Sequence, residues 1–227
     1  EIDGKKYFFG SSTLYMWTGL IEYYGDYYFA DPTTGQLQSG VKNISGKNYL
    51  FVDGLMQKGK VSYNGKLYFC DVKTGEIKDG IKTDGQNNYY IKNGVIQTGW
   101  INYNNHKYYA DPKTGVLSRL VTEIDGKKYF FGSSTLYMWT GLIEYYGDYY
   151  YADPTTGQLQ SGMLNINSND YIFDSETCKA KKGWIEYENH KYYANPATGI
   201  LSKLITEIDG KKYFFGRTTL YMWTGLI

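Results

Sequence analysis

Short runs of aromatic and β-branched residues recur along the chain in pairs, with a tight turn between the members of each pair. Residues 20–24 form one such run, which is followed by the turn Gly25-Asp26, the run 27–30 and a looser segment that closes on Gly40. Asp-Gly and Asn-Gly pairs stand at the same turn in other places, as in Asp84-Gly85, and they tolerate the positive φ that a two-residue hairpin needs. No helical periodicity competes with this pattern. It predicts antiparallel β-hairpins.

One tyrosine recurs in every unit and sets the register of the units. Its positions are spaced by 21 residues, with two steps of 19, and they are Tyr7, Tyr28, Tyr49, Tyr68, Tyr89, Tyr108, Tyr129, Tyr150, Tyr171, Tyr192 and Tyr213. The hairpin units are predicted at 1–19, 20–40, 41–59, 60–80, 81–99, 100–120, 121–141, 142–162, 163–183, 184–204 and 205–225. A single hairpin cannot bury its apolar face alone, so the hairpins must stack on one another. The prediction is an all-β solenoid with about 20 residues per repeat, in one array over residues 1–227.

A longer stretch is repeated almost without change. Thr-Glu-Ile-Asp-Gly-Lys-Lys-Tyr-Phe-Phe-Gly, followed by Leu-Tyr-Met-Trp-Thr-Gly-Leu-Ile, ends at residues 21, 143 and 227; the first copy lacks the threonine. We call these the Phe-Phe-Gly copies. Most units close on glycine, but the units that precede the second and third copies close on Leu120 and Leu204. We expect the stacking geometry to change at these joints, as a bend.

The Phe-Phe-Gly copies place tryptophan in a polar column. Three residues before the closing glycine every unit has an apolar side chain, which predicts a core position. The next column has Gln, Lys or Ser in eight units, and Trp17, Trp139 and Trp223 in the other three. Neighbours in extended chain point to opposite faces, so the tryptophans are predicted to face outward, with Tyr15, Tyr137 and Tyr221 two residues earlier on the same side. Each tryptophan either covers a gap at an altered joint or forms, with its tyrosine, a platform for the apolar face of a sugar.

Polar residues follow the first two platforms and are candidates for binding sugar hydroxyls. They are Glu22, Tyr24, Asp26 and Tyr27 after the first copy, and Glu144, Tyr146, Asp148 and Tyr149 after the second. Each of them is equally compatible with a solvated strand face. The chain ends before the third copy reaches these positions. Several weak sites on one rigid array would gain strength on a surface that presents many ligands.

Composition and motifs argue against an enzyme. Lys+Arg and Asp+Glu total 24 and 23, so the chain has no basic footprint for nucleic acid. His106 and His190 occupy equivalent turns far apart, and no zinc spacing, phosphate loop or nucleophile elbow occurs. Cys70 and Cys178 are expected to be packed thiols, not a disulfide. No catalytic residue, cofactor or metal is predicted.

Targeting signals are also missing from this sequence. No apolar run is long enough to span a bilayer, so membrane insertion by this segment is not expected, and there is no signal peptide. The sequence opens inside one repeat and stops inside another. We therefore expect a fragment of a longer array. We also expect it to be monomeric.

The repeats resemble two related sets of proteins. The Gly-Lys-x-Tyr-Tyr-Phe core and the closing Thr-Gly are similar to the choline-binding and glucan-binding repeats of bacterial surface proteins. More closely, residues 6–10 through Thr18-Gly19, and then residues 27–29 through Pro32-x-Thr34, resemble the long-to-short junctions in the C-terminal repeats of large clostridial glucosylating toxins.

The toxin resemblance implies a bent β-solenoid that binds host cell-surface oligosaccharides near its joints, in the C-terminal part of a larger secreted protein. The alternatives are a module that anchors to bacterial cell wall or glucan, and a structural spacer. Choline binding is disfavoured because no tryptophan precedes the repeated tyrosine. Trp100 and Trp184 do occupy the Gly-Trp position of the choline-binding branch, but an aromatic cage needs more than one wall.

Overall fold

The aromatic and β-branched runs form antiparallel β-hairpins, as predicted. The computed structural model describes residues 1–225, which contain no helix, and Leu226 and Ile227 lie outside the described residues. The chain forms two compact units, 1–118 and 119–227. Whether they continue one array stays a prediction.

The strands of the first unit are β1 (Phe8–Phe9), β2 (Met16–Trp17), β3 (Gly19–Tyr23), β4 (Asp26–Ala30), β5 (Gly40–Ile44), β6 (Lys47–Val52), β7 (Leu55–Met56), β8 (Gly59–Tyr63), β9 (Lys66–Cys70), β10 (Glu76–Ile77), β11 (Gly80–Thr83), β12 (Asn88–Lys92), β13 (Val95–Ile96), β14 (Gly99–Tyr103) and β15 (His106–Ala110). Those of the second unit are β16 (Leu120–Ile124), β17 (Lys127–Phe131), β18 (Gly141–Tyr145), β19 (Asp148–Ala152), β20 (Gly162–Ile166), β21 (Asn169–Phe173), β22 (Gly183–Tyr187), β23 (His190–Ala194), β24 (Leu204–Ile208) and β25 (Lys211–Phe215).

The hairpins share one register. In β18 and β19 the closing Gly141 pairs with Ala152, and Tyr145 pairs with Asp148 across the turn. The strand thus begins at the closing glycine, one residue before the predicted unit boundary. The two residues of this turn, Tyr146 and Gly147, have φ of 50° and 77°. Positive φ at both central positions is the geometry that matches the twist of a hairpin.

The hairpin over residues 81–99 departs from the predicted turn. Thr83 pairs with Asn88, so the connection has four residues and not two. Asp84 accepts hydrogen bonds from the backbone N–H groups of Asn87 and Gln86, at 2.7 and 2.9 Å. These bonds lower the pKa of Asp84 to about 2. The Asp84-Gly85 pair therefore forms an Asp-capped loop, because the aspartate side chain replaces the missing turn hydrogen bonds.

Within the second unit, each hairpin after the first bonds to the one before it. Three residues before the closing position, the backbone N–H donates to the carbonyl that precedes the repeated tyrosine of the previous hairpin. In the second unit these bonds join Leu159 to Lys128, Ala180 to Tyr149, Leu201 to Asp170 and Met222 to Lys191, at 2.7–2.8 Å. Apolar side chains of three consecutive hairpins share one core cluster: Ile172, Ile185, Tyr192, Ala194, Leu201 and Leu220. The predicted solenoid of stacked hairpins is confirmed.

The joint at Leu204 keeps the backbone of an ordinary joint. Leu204 has φ of 59°, close to the 69° of the closing Gly183. It pairs with Phe215, as Gly183 pairs with Ala194. Leu120, at the start of the second unit, has a similar φ of 57°. Leucine therefore holds a conformation that normally requires glycine, and the bend expected at these joints stays a prediction.

We expect Leu204→Gly to stabilise its hairpin by about 1 kcal/mol, because a non-glycine residue in the left-handed region costs about 1–2 kcal/mol. Leu204 is 49% exposed, so the loss of its buried half keeps the expected gain at the lower end of this range. Stacked repeats need not unfold together, so the measurement is native-state hydrogen exchange of the β24 and β25 amides. Ile205→Gly, at a neighbour without positive φ, should instead weaken protection. Lower protection in Leu204→Gly would contradict the strain argument.

Candidate functional site

Each of the first two Phe-Phe-Gly copies builds a row of four aromatic rings. In the second copy Phe130 contacts Trp139 and Tyr145, with ring centroids 5.6 and 5.4 Å apart, and Tyr146 stands edge-on to Tyr145 at 4.6 Å. In the first copy the same row runs from Trp17 through Phe8 and Tyr23 to Tyr24, with spacings of 5.6, 5.1 and 4.5 Å. The tryptophan and the second tyrosine are thus the two ends of the row.

The tryptophan end of the row belongs to the packing of the loop. The indole N–H of Trp139 donates to the Thr135 hydroxyl at 3.2 Å, and Trp223 makes the same bond to Thr219 at 3.3 Å. A Cβ added to Gly132 would lie 2.8 Å from the indole nitrogen of Trp139. Glycine is needed in the Phe-Phe-Gly motif because the indole lies directly against its backbone.

The tryptophans are less exposed than the sequence predicted. Trp17 and Trp139 are half-buried, and Trp223 is 46% exposed. The outward position fails for the first two because each indole folds back onto the phenylalanine and the glycine of its own copy. This arrangement favours the interpretation in which the tryptophan fills a gap in the packing, here in the loop of its own copy.

The tyrosine end of the row is held out in solvent. Tyr24 and Tyr146 are 90% and 91% exposed. Both occupy the first turn position with positive φ, where other hairpins have Asp, Asn, Ser or Glu. A bulky residue is unfavourable in that conformation. Tyr146 therefore carries a conformational cost without the compensation of burial, which is typical of a residue kept for binding.

A groove of about 490 Å³ lies beside Tyr146. Its apolar lining consists of Leu120, Val121, Phe130, Tyr145 and Tyr150, and its polar lining of Asp148, Glu176, Thr177 and Lys179. Tyr145 and Asp148 are cross-strand partners, so both side chains lie on the face of the hairpin that forms the groove. The groove combines an apolar floor, one exposed ring and a polar rim.

An ion pair stands on the polar rim. The ammonium of Lys179 lies 2.6 Å from Asp148 Oδ2, and both side chains are partly exposed. The hydrogen bond that the Lys179 ammonium donates to Asp148 raises the pKa of Lys179, and burial raises the pKa of the Tyr150 phenol. The rim thus presents a carboxylate that accepts hydrogen bonds next to an ammonium that donates them, a pair that suits sugar hydroxyls.

The loop that carries the rest of the rim is fixed by its own hydrogen bonds. Asp174 accepts the backbone N–H groups of Thr177 and Glu176, at 2.9 and 3.0 Å. These bonds lower the pKa of Asp174 to about 2. The ammonium of Lys128, on the hairpin of the second Phe-Phe-Gly copy, donates to the carbonyl of Glu176. The rim is therefore held in place before any ligand arrives.

Other predicted residues of the second copy lie elsewhere. Glu144 and Tyr149 are cross-strand partners, so they face away from Tyr145 and Asp148. Tyr149 packs against the core cluster of the following hairpin. Tyr137 is half-buried. The structure thus brings Tyr146 and Asp148 into one groove and separates Glu144 and Tyr149 from them.

In the first copy the equivalent residues are divided between the two faces of the hairpin in the same way, but fewer polar groups lie near the exposed tyrosine. Glu22 pairs with Tyr27, on the face opposite to Tyr23 and Asp26. Tyr15 is exposed. Four residues before the next closing glycine, the first copy has Leu55 where the second has Lys179. The first copy therefore offers Asp26 without the partner cation.

The tyrosine and tryptophan of the third copy line a different groove. Tyr221 and Trp223 flank an opening of about 490 Å³ together with Asn189, His190, Lys191, Met222 and Thr224. The imidazole of His190 stacks on Tyr221, with ring centroids 4.1 Å apart. One face of Tyr221 is therefore already occupied.

The sequence did not indicate several lining residues of the Tyr146 groove. They are Leu120, Val121, Phe130, Tyr145, Tyr150, Glu176, Thr177 and Lys179. Phe130 and Tyr145 repeat in the first copy, so the repeat itself was a usable signal. Lys179 comes from the following hairpin, and no signal in the sequence pointed to it, because only stacking brings it to Asp148.

The described part of the chain was predicted to hold no metal and no membrane span, and its two cysteines were predicted to be packed thiols. Within residues 1–225 no group of His, Cys, Asp or Glu side chains could hold a metal ion, and no helix is long and apolar enough to cross a membrane. Cys70 and Cys178 are free and buried, as expected. Burial raises the pKa of Cys70 to about 11, so its thiol stays protonated near neutral pH.

Comparisons with known proteins support the fold. A family model described as a putative cell wall binding repeat matches residues 98–113 and 182–197. No curated protein matches the chain. The resemblance to clostridial toxin repeats stays a prediction.

Solved structures align along most of the chain. CbpF in complex with ipratropium is 20% identical, with 99% of this chain and 91% of that chain covered and a TM-score of 0.70. CbpJ from Streptococcus pneumoniae is 21% identical, with coverage of 97% and 92% and a TM-score of 0.58. Choline binding protein F from the same organism, with a peptidoglycan analogue present, is 19% identical, with coverage of 100% and 96% and a TM-score of 0.58.

We expect Gly132→Ala to destabilise its hairpin by about 1–3 kcal/mol, because the new methyl group would press on the Trp139 indole and the Thr135 hydroxyl. In a Trp139→Gln background the same change should cost less, since glutamine is the residue of ordinary hairpins. Hydrogen exchange during denaturation measures the stability of each variant, and the four values give the coupling energy between residues 132 and 139. Ser133→Ala is the control and should change stability by less than about 0.5 kcal/mol. An equal loss of stability in both backgrounds would show that Gly132 is not needed because of the Trp139 indole.

Proposed function

We propose that this chain is a non-catalytic repeat region that binds surface carbohydrate through grooves at its Phe-Phe-Gly copies. The observation that carries the proposal is Tyr146, whose ring is 91% exposed at a turn position that disfavours it. The ring stands beside an apolar groove with a carboxylate and an ammonium on its rim. Aromatic rings bind the apolar face of a sugar, and the paired charges bind its hydroxyls.

The groove supports weak binding at each site. Burial of apolar area contributes roughly 25 cal/mol per Å², and an open groove covers one side of a sugar only. We therefore expect dissociation constants on the order of mM to μM for a single site. Repetition of the Phe-Phe-Gly copy raises the overall affinity, because several sites act together on a surface that displays many ligands.

The bacterial cell wall is the carbohydrate surface that we propose first. Support comes from the two segments that match a cell wall binding repeat and from the shared fold with choline binding protein F, whose structure was solved with a peptidoglycan analogue present. The groove also suits polysaccharide better than choline, since its rim offers hydrogen-bonding groups for hydroxyls.

Host cell-surface oligosaccharides are the second candidate. The long-to-short junction pattern resembles that of clostridial toxins, and the groove lies where the second Phe-Phe-Gly copy meets the following repeats. In that case the chain would be the C-terminal part of a larger secreted toxin. In either case we propose that it acts outside the cell as a monomer without a cofactor, and that any catalysis belongs to another region. A structural spacer remains the outcome if no carbohydrate binds.

We expect Tyr146→Asn to weaken carbohydrate binding by at least about tenfold, because it removes the exposed ring. The fold should be retained, since asparagine occupies this turn position with positive φ at Asn64 and Asn104. The measurement is binding to a glycan array and to isolated cell walls, including peptidoglycan fragments.

The matched control is Glu188→Asn, which introduces the same residue at the same turn position of the hairpin 184–204 and should leave binding unchanged. Tyr24→Asn tests the first copy in the same way. Binding only to cell walls would select the first surface, and binding only to host glycans the second. Unchanged binding by Tyr146→Asn would refute the proposal that this groove binds carbohydrate. If the natural chain binds no carbohydrate, the structural spacer is the remaining interpretation.

A further inference from the structure

Two tryptophans outside the Phe-Phe-Gly copies carry a lysine on their rings. Trp100 and Trp184 directly follow closing glycines, and both are 38% exposed. The ammonium of Lys107 lies 4.7 Å from the ring centroid of Trp100, and that of Lys191 lies 4.8 Å from the ring centroid of Trp184. Both distances are within the range of an attractive cation–π contact.

The strand register explains why the same lysine reaches the same ring in both hairpins. Trp184 pairs with Tyr193, and Lys191 stands two residues before Tyr193 on the same strand. Alternate residues share a face, so Lys191 and Trp184 are diagonal neighbours on one surface of the sheet. The pairing of Trp100 with Tyr109 places Lys107 in the same way. The register therefore places a lysine within reach of the tryptophan ring in both hairpins.

Trp184 has the additional aromatic walls that the sequence did not show. The rings of Tyr193 and Tyr213 lie 5.1 and 5.0 Å from it, both edge-on, and Phe215 lies at 6.1 Å. Two of these rings belong to the following hairpin, so stacking completes the cluster. A cluster of this kind attracts organic cations through the ring faces.

Both hairpins with a tryptophan after the closing glycine have lysine before the repeated tyrosine, a position where lysine also occurs without the tryptophan, at Lys6, Lys128 and Lys212. These two hairpins begin at Gly99 and Gly183. The hairpins with Leu20 or Leu142 at the tryptophan position have tyrosine before the repeated tyrosine instead. The two hairpins are also the segments that match the cell wall binding repeat.

We infer that Lys107 and Lys191 are specificity-determining residues, which occupy the cation-binding faces of Trp100 and Trp184 with the chain's own ammonium and exclude external quaternary ammonium ligands. A tethered cation competes at a high effective concentration, and its charge repels a second cation. An external ligand binds only to the fraction of molecules in which the lysine has moved away. The inference concerns residues other than those of the Tyr146 groove and does not rest on carbohydrate binding.

The test is a titration of the folded chain with tetramethylammonium chloride, followed by tryptophan fluorescence and by NMR. Lys191→Met keeps the apolar stem of the side chain and removes the ammonium. We expect its dissociation constant for tetramethylammonium to be at least about fivefold lower than that of the natural chain. Adding Trp184→Ala to Lys191→Met should abolish the gain.

Two matched variants control for charge and for fold. Lys191→Arg keeps a cation over the ring and should bind no more tightly than the natural chain. Lys211→Met removes an exposed lysine of the following hairpin and should also leave binding unchanged. Circular dichroism checks that the variants keep the β fold.

Three results would overturn the inference. Lys191→Met could bind tetramethylammonium no better than the natural chain, or the natural chain could already bind it as tightly as the variant. The third result needs no ligand: the ε-protons of Lys191 should be shifted upfield by the indole ring current relative to those of Lys211, and equal shifts would show that the ammonium is not over the ring.

Discussion

The bond between consecutive hairpins is the constraint on which the rest of the structure depends. A two-stranded hairpin is marginal alone, so its apolar face must be covered by the next one. The backbone bond from Leu201 to the Asp170 carbonyl, and its equivalents, fix how far each hairpin is turned against its neighbour. Ile172, Ile185 and Leu220 then meet in one cluster although they belong to three hairpins. The Tyr146 groove and the Trp184 cluster both contain side chains that this stacking brings together.

The Phe-Phe-Gly copy shows how a repeat changes without losing this bond. Gly132 takes the place that an aspartate has in ordinary loops, and the Trp139 indole fills the space beside it. The Thr135 hydroxyl accepts the indole N–H, whereas in an ordinary loop Thr156 donates to Asp153. The altered loop therefore supports Phe130, and Phe130 supports Tyr145 in the groove. The tryptophan contributes to the groove through this support.

Exposed aromatic rings have two different environments in this chain. Tyr146 stands beside an apolar groove with an ion pair on its rim, and its ring touches one neighbour edge-on. Trp184 has a lysine ammonium over one face and tyrosine rings at its edge. The first arrangement leaves a ring for a neutral ligand with hydroxyl groups, whereas the second already holds its cation. Exposure alone does not separate these two cases, because the neighbouring charge decides what a ring can bind.

The sequence by itself determined the hairpins, their register and their stacking, because the repeated tyrosine, the turn pairs and the closing glycine recur at fixed spacing. It also singled out Tyr146 and Asp148. Only the tertiary structure decided that Trp139 is half-buried and that Lys179 reaches Asp148. The physical reason is that alternation along a strand assigns a side chain to a face, but the next hairpin decides whether that face is covered. The contacts that make a site join residues of different repeats, and a repeat pattern does not record them.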